Sequence, residues 1–276
     1  MLRLRIATAL VLLAAFLGGL FALPALGWSL FAAALLAAAA WEWAGFARCE
    51  TRGRMLYMVA TTLGGWGVAW ALGLALGRPG ALALIPIYAA ALVFWLVAAP
   101  LWLRQRPPAT TPGWVLAVGW IVLIPTFLAL VHLRNIQPAL LLAFMLVVWI
   151  ADIAAYFSGR RFGRRKLAPS VSPGKTWEGF YGALAATAVF ALAWITLAPR
   201  QAPALVRDLP WGPAWMVAFV AALTALSVIG DLFESALKRQ AGLKDSGSIL
   251  PGHGGVLDRI DALTPVLPAA ALVNMV

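Results

Sequence analysis

Acidic residues are scarce in this chain and unevenly placed. Seven of the ten, Asp152, Glu178, Asp231, Glu234, Asp245, Asp258 and Asp261, fall in two stretches of the second half, among Lys, Arg and Gly. In the denser stretch Asp231, Glu234, Ser235 and Lys238 stand at i, i+3, i+4 and i+7, a spacing that puts them on one stripe of a helix. Arg239, Lys244 and Asp245 follow, then Pro251-Gly252-His253-Gly254-Gly255, then Asp258, Arg259 and Asp261. Asp258 and Asp261, three apart, are expected to point the same way from a second helix start, while the glycines can bring backbone N–H groups close to an anion. In the other stretch Asp152, Tyr156, Gly159 and Gly163 share one helical face. After Arg160 to Lys166 comes Ser172-Pro173-Gly174-Lys175-Thr176-Trp177-Glu178-Gly179, which reads as a turn and a helix start with Thr176 as N-cap. A helix N-terminus beside Lys175 suits a phosphate. Carboxylates hold hard cations such as Mg²⁺ through oxygen, and cations with basic side chains neutralise a polyphosphate. The plainer reading is a set of salt bridges tying helix ends together. Of the other acidic residues, Glu42, Glu50 and Asp208 read as solvated or structural groups without polar company.

The elements that position these residues must lie in lipid. Hydrophobic residues make up 63% of the chain and charged ones 11%, against about a quarter charged in soluble domains. Apolar runs long enough to cross a core of about 30 Å recur throughout, and without alternation they are helices rather than barrel strands. Nine runs are expected, at about 6–23, 25–47, 55–77, 80–103, 113–133, 137–158, 177–198, 212–234 and 256–276, the last being the weakest. The first reads as a retained span rather than a cleaved leader, because the next follows at once. If loops alternate sides, 17 of the Lys and Arg residues fall on the N-terminal side and 4 on the other. The excess places the N-terminus in the cytoplasm. The fold class is therefore all-α, a polytopic helical membrane protein, divided into 1–136 (five spans) and a catalytic region 137–276 (four spans and cytoplasmic loops). Cys49 is alone, which excludes an internal disulfide and a thiolate zinc cluster. The net charge of +11 fits loops held against anionic headgroups rather than nucleic acid.

The run Ser235 to Arg239, Lys244-Asp245, Pro251 to Gly255 and Asp258-Arg259-Ile260-Asp261 resembles the signature of the phosphatidate cytidylyltransferases, and the stretch from Asp152 through Ser172 to Gly179 is similar to another motif of that family. The likeness covers roughly the last 125 residues; the first five spans match only in character. It implies condensation of CTP with phosphatidic acid to CDP-diacylglycerol and pyrophosphate, in a cavity open to the cytoplasm and inner leaflet of the cell's inner membrane. It also implies Mg²⁺ dependence and a homodimer. The family's metal-binding carboxylates map onto Asp231, Asp258 and Asp261. Asp231, Asp258, Lys238 and Arg239 are then the expected catalytic groups. Ser172, Lys175, Thr176, Ser235, Lys244, His253, Gly254, Gly255 and Arg259 are the expected substrate-binding ones. The alternatives are a CTP-dependent lipid kinase, another lipid-phosphate cytidylyltransferase and, more distantly, an ion-coupled transporter. The transporter is disfavoured because the charges cluster at one face and no inverted repeat is evident.

Overall fold

The computed structural model of the protein describes residues 2–78, 80, 82–105, 111–197, 212–250, 252 and 254–275. Among the described residues the apolar runs hold these helices: α1 (Leu2–Ala22), α2 (Ala25–Phe46), α3 (Thr51–Ala71), α4 (Leu82–Gln105), α5 (Pro112–Ile136), α6 (Pro138–Phe162), α7 (Trp177–Leu197), α8 (Pro213–Ala241), and the pair α9 (Leu257–Ile260) and α10 (Leu263–Val273). Among the described residues, six of these (α2, α4, α5, α6, α7 and most of α8) are long and apolar enough to cross a membrane. The molecule is thus an all-α membrane protein, to which the described residues add one small hairpin of β1 (Lys166–Ala168) against β2 (Ser172–Thr176) and an isolated bridge between Leu250 and Gly254.

Local chemistry sets the helix ends. Proline opens α5, α6 and α8 within their first turn, where its missing N–H costs nothing. Gly242 closes α8 at φ 78°, its N–H returning to the carbonyls of Lys238 and Arg239, the left-handed cap that favours glycine. A π turn over Phe94–Ala98 interrupts α4. Around it Phe94, Trp95 and Trp102 surround Phe233 of α8, with ring centroids 5.4, 5.5 and 5.1 Å away. Phe233 lies between Asp231 and Glu234 in sequence, so this aromatic box fixes the rotation of the acidic end of α8.

The last apolar run departs from the expected span. The helix breaks at Asp261 and Ala262, and α10 is only 11 residues long, roughly 16 Å at 1.5 Å per residue. Every residue from Leu263 to Ala271 is buried. A helix apolar on all sides belongs in a core, and α10 packs among α4, α5 and α8 in the centre of the bundle. Regions 1–136 and 137–276 share this single apolar core.

Candidate active site

Three elements converge beside the C-terminal half of α8. Helices α6 and α7 pack closely because glycine removes the side chains between them. A Cβ on Gly159 would stand 2.9 Å from Thr176 Oγ1, one on Gly179 2.8 Å from the Ala155 carbonyl, and one on Gly182 2.1 Å from Ser158 Oγ. Small residues of this kind let membrane helices approach. Thr176 Oγ1 accepts the Gly179 N–H at 3.1 Å, so the expected N-cap forms. The segment before it is a strand of the hairpin rather than a free turn, with Lys166 opposite Thr176 and Ala168 opposite Ser172. Glu178 pins the hairpin's approach by accepting the N–H groups of Arg164 and Arg165 at 3.0 and 3.2 Å.

The hairpin delivers Lys175 to α8. Its Nζ lies 2.5 Å from Asp231 Oδ2, and Ser235 Oγ donates to Asp231 Oδ1 at 3.2 Å. A cavity of about 470 Å³ opens here, its wall carrying Asp152, Tyr156, Gly159, Gly163, Ser172, Lys175, Thr176 and Asp231. The face expected of Asp152, Tyr156, Gly159 and Gly163 therefore exists and is one side of a cavity. Arg160 and Lys166 also line it, while Arg161 and Arg164 border a separate hollow.

About two turns further along α8 than Asp231, Lys238 Nζ sits between two carboxylates, 2.7 Å from Glu234 Oε2 and 2.6 Å from Asp258 Oδ1. All three side chains are nearly inaccessible, at 11, 4 and 8% exposure. Asp258 Oδ2 accepts backbone N–H groups from Ser246 at 3.0 Å and Gly255 at 2.8 Å. Burial pushes the Asp258 carboxyl up, but these bonds and the Lys238 ammonium outweigh it and hold the group below the usual carboxylate range. Asp261 behaves oppositely. Burial first, then the charges of Asp231 and Glu234, hold its carboxyl well above that range. Its backbone carbonyl lies against Gly230 of α8, where a Cβ would stand 2.6 Å away, and its Oδ1 accepts the Ala262 N–H at 2.7 Å.

The glycine turn also differs in its use. The anion held by the Gly255 N–H is the carboxylate of Asp258, not an outside group. Gly254, at φ 80°, bridges back to Leu250, and a Cβ there would meet Asp258 Oδ2 at 2.8 Å. His253 lies outside the described residues. Arg239, Lys244 and Arg259 are exposed and do not line the large cavity. Nor does Asp258, so Asp231 and Asp258 do not share one wall: Asp231 faces the cavity with Lys175, and Asp258 meets α8 at Lys238, about two turns further along. Among the described residues, no three His, Cys, Asp or Glu side chains gather closely enough to hold a metal ion unaided.

Of the two readings given to Glu42, solvated or structural, the structural one holds. Far from lacking polar company, it is 2% exposed and accepts three hydrogen bonds, from Ser246 Oγ at 3.0 Å, the Val256 N–H at 3.0 Å and the Leu257 N–H at 2.8 Å. Glu50, by contrast, is exposed, and Asp208 lies outside the described residues. The available signal was the cost of a carboxylate within an apolar run, which demands a partner.

A model of the cytidylyltransferase family matches residues 3–276. The chain is 42% identical to the phosphatidate cytidylyltransferase of Pseudomonas aeruginosa, over 98% of this chain and 96% of that protein. It is 37% identical to the phosphatidate cytidylyltransferase of Haemophilus influenzae, over 97 and 96% of the two chains. The likeness to the Bacillus subtilis phosphatidate cytidylyltransferase, 40% over 159 residues, covers 55% of this chain and 56% of that one. The first two of these alignments extend over the early spans, whose sequence shows only apolar character.

Proposed function

The chain belongs to the cytidylyltransferase family, and from that premise we propose that it transfers the cytidylyl group of CTP to phosphatidic acid in phospholipid biosynthesis. A phosphate oxygen of the lipid bonds to the α-phosphorus of CTP, the bond from that phosphorus to its bridging oxygen breaks, and pyrophosphate leaves. The attacking phosphate is already anionic near neutral pH, so no strong base is required. The barrier is the approach of two anions, which positioning and charge neutralisation lower.

The observation that carries this reading is the pairing of cavity and cations. Lys175 stands in the wall of a 470 Å³ cavity facing Asp231, with Lys238 about two turns further along α8 between Glu234 and Asp258. Lys175 and Lys238 are assigned to hold phosphate oxygens, with Arg239, Lys244 and Arg259 gathering the charged headgroup and nucleotide at the exposed rim. Ser172, Thr176 and Ser235 supply hydroxyl groups on the same side, and Gly254 and Gly255 allow close approach of backbone. Tyr156, exposed and in the cavity wall, fits a bilayer-facing entrance through which a headgroup enters while its acyl chains remain in lipid.

The donor set also suits Mg²⁺. Asp152, Asp231, Glu234, Asp258 and Asp261 outnumber Lys175 and Lys238, so the two ammonium groups leave the cluster with an excess of negative charge. Oxygen-only, anionic surroundings match a hard cation, and Mg²⁺ sites commonly use one or two carboxylates plus substrate phosphates rather than a complete protein cage. Asp231, Asp258 and Asp261 are the residues assigned to it. Bound there, the ion would polarise the phosphoryl oxygens and neutralise the leaving pyrophosphate. We also assign nine membrane-embedded segments, a cytoplasmic N-terminus in the inner membrane, as the 17 to 4 split of basic residues favours, and a homodimer.

The decisive test supplies radiolabelled CTP and phosphatidic acid to purified protein. A labelled lipid with stoichiometric pyrophosphate supports the proposal. Release of CDP with phosphorylation of a lipid acceptor would replace it with a kinase, and an unlabelled lipid fraction would refute it.

A further inference from the structure

Glu42 comes from α2, remote in sequence from the residues assigned to phosphate chemistry, yet its carboxylate is seated against the loop that carries them. It has a built receptor. Ser246 Oγ, Val256 N–H and Leu257 N–H donate to it, and the surrounding space exists only because two neighbours are glycines. A Cβ on Gly247 would stand 2.6 Å from Glu42 Oε1, and one on Gly255 2.5 Å from Oε2 and 2.0 Å from Ser246 Oγ. A buried carboxylate of this kind is costly unless fully bonded, and is then a rigid fixture.

The same loop residues hold Asp258. Ser246 donates its hydroxyl to Glu42 and its backbone N–H to Asp258, while Gly255 donates its N–H to Asp258 and turns its other side to Glu42. Val256 and Leu257, bonded to Glu42, begin the short helix from which Asp258 projects. Asp258 in turn holds Lys238 at 2.6 Å. We infer that Glu42 is a positioning residue for the reaction: through Ser246 and the start of α9 it fixes Asp258, and through Asp258 the Lys238 ammonium, without touching substrate. The inference rests on the assignment of Asp258 and Lys238 to the phosphate-handling site.

The experiment compares purified Glu42→Gln, Ser246→Ala, Asp258→Asn and Glu50→Gln proteins by steady-state kinetics and thermal unfolding. Glu42→Gln keeps the size of the side chain but replaces an acceptor oxygen with a donor facing other donors. A misplacement of about 1 Å in a catalytic group can cost around 100-fold, so kcat is expected to fall about 10- to 100-fold. KM for CTP and for phosphatidic acid should move less than about threefold, since the groups that bind the substrates remain present. Ser246→Ala, which removes one donor and retains the backbone bond to Asp258, should lower kcat to a smaller extent with an unchanged unfolding midpoint. Exposed Glu50 serves as the control, with wild-type kinetics. Wild-type kcat in Glu42→Gln overturns the inference. Should Glu42→Gln fail to fold, Ser246→Ala decides: a lowered kcat at unchanged KM sustains the inference, and wild-type kcat ends it. An active Asp258→Asn protein would instead remove the assignment on which the inference stands, so the two failures are distinguishable.

Discussion

Replacing Lys238 by Met removes one ammonium from between two carboxylates and leaves the side-chain volume nearly unchanged. Lys238 Nζ is 2.6 Å from Asp258 and 2.7 Å from Glu234, and the three side chains are 11, 8 and 4% exposed, so solvent screens little of the interaction. Removing one partner of a buried ion pair costs about 3–5 kcal/mol, most of it for the charge left behind. Here two charges are stranded beside each other, so the upper part of that range applies. At about 2–4 °C per kcal/mol for a chain of this size, the unfolding midpoint should fall by roughly 10 °C or more. Glu234→Gln in the same protein deletes one of the stranded charges and should recover a large part of the loss, a non-additivity expected only of groups in contact. Intrinsic tryptophan fluorescence of detergent-purified protein follows the midpoint, and incorporation of labelled CTP into lipid follows turnover. The double variant should regain stability and remain inactive, because the ammonium proposed to hold phosphate is still missing. A wild-type midpoint for Lys238→Met would refute the buried triad. Activity returning with stability in the double variant would show that Lys238 serves the fold alone.

Two further outcomes follow from the same geometry. Chelation of Mg²⁺ should abolish turnover reversibly, with activity restored by added Mg²⁺, and full activity in excess chelator would remove the ion from the mechanism. Gly255→Ala places a methyl group within 2.5 Å of both Glu42 and Ser246 and, as overpacking typically does, should cost about 1–3 kcal/mol, read as a lower unfolding midpoint with reduced turnover. An unchanged midpoint and rate would mean that the loop has room which its contacts deny.

Periodicity and spacing revealed those features of the site that are local in sequence. The stripe Asp231, Glu234, Ser235 and Lys238 was legible because it lies on one continuous helix, and the N-cap at Thr176 because its chemistry acts within three residues. Two features were not legible. The break after Ile260 follows from α10 being buried on every side, and an apolar run of that composition reads the same whether it meets lipid or protein. The Glu42 contacts join residues more than 200 positions apart, and no spacing rule carries that information. A carboxylate amid Trp41, Ala44 and Trp43 could announce only that it needed a partner, not which one.

The length of α8 explains why such chemistry suits this bundle. Its 29 residues extend roughly 43 Å, while about 20 residues cross a hydrocarbon core of about 30 Å. If Pro213 marks one boundary, an upright α8 reaches the other near Phe233, in the middle of the stripe from Asp231 to Lys238. Tilting carries the boundary further toward Lys238 without moving it past the helix end. The aromatic box around Phe233 then lies level with the edge of the acyl region, and Asp231, Glu234 and Lys238 lie at the depth of lipid phosphates. On the roles proposed for Lys175 and Lys238, a lipid phosphate need not leave its own plane to meet them, and only the water-soluble nucleotide has to travel. Half-length α10 completes the arrangement. It packs against α8, and α9 just before it brings Asp258 to Lys238 of α8 at 2.6 Å, on that placement near the same level.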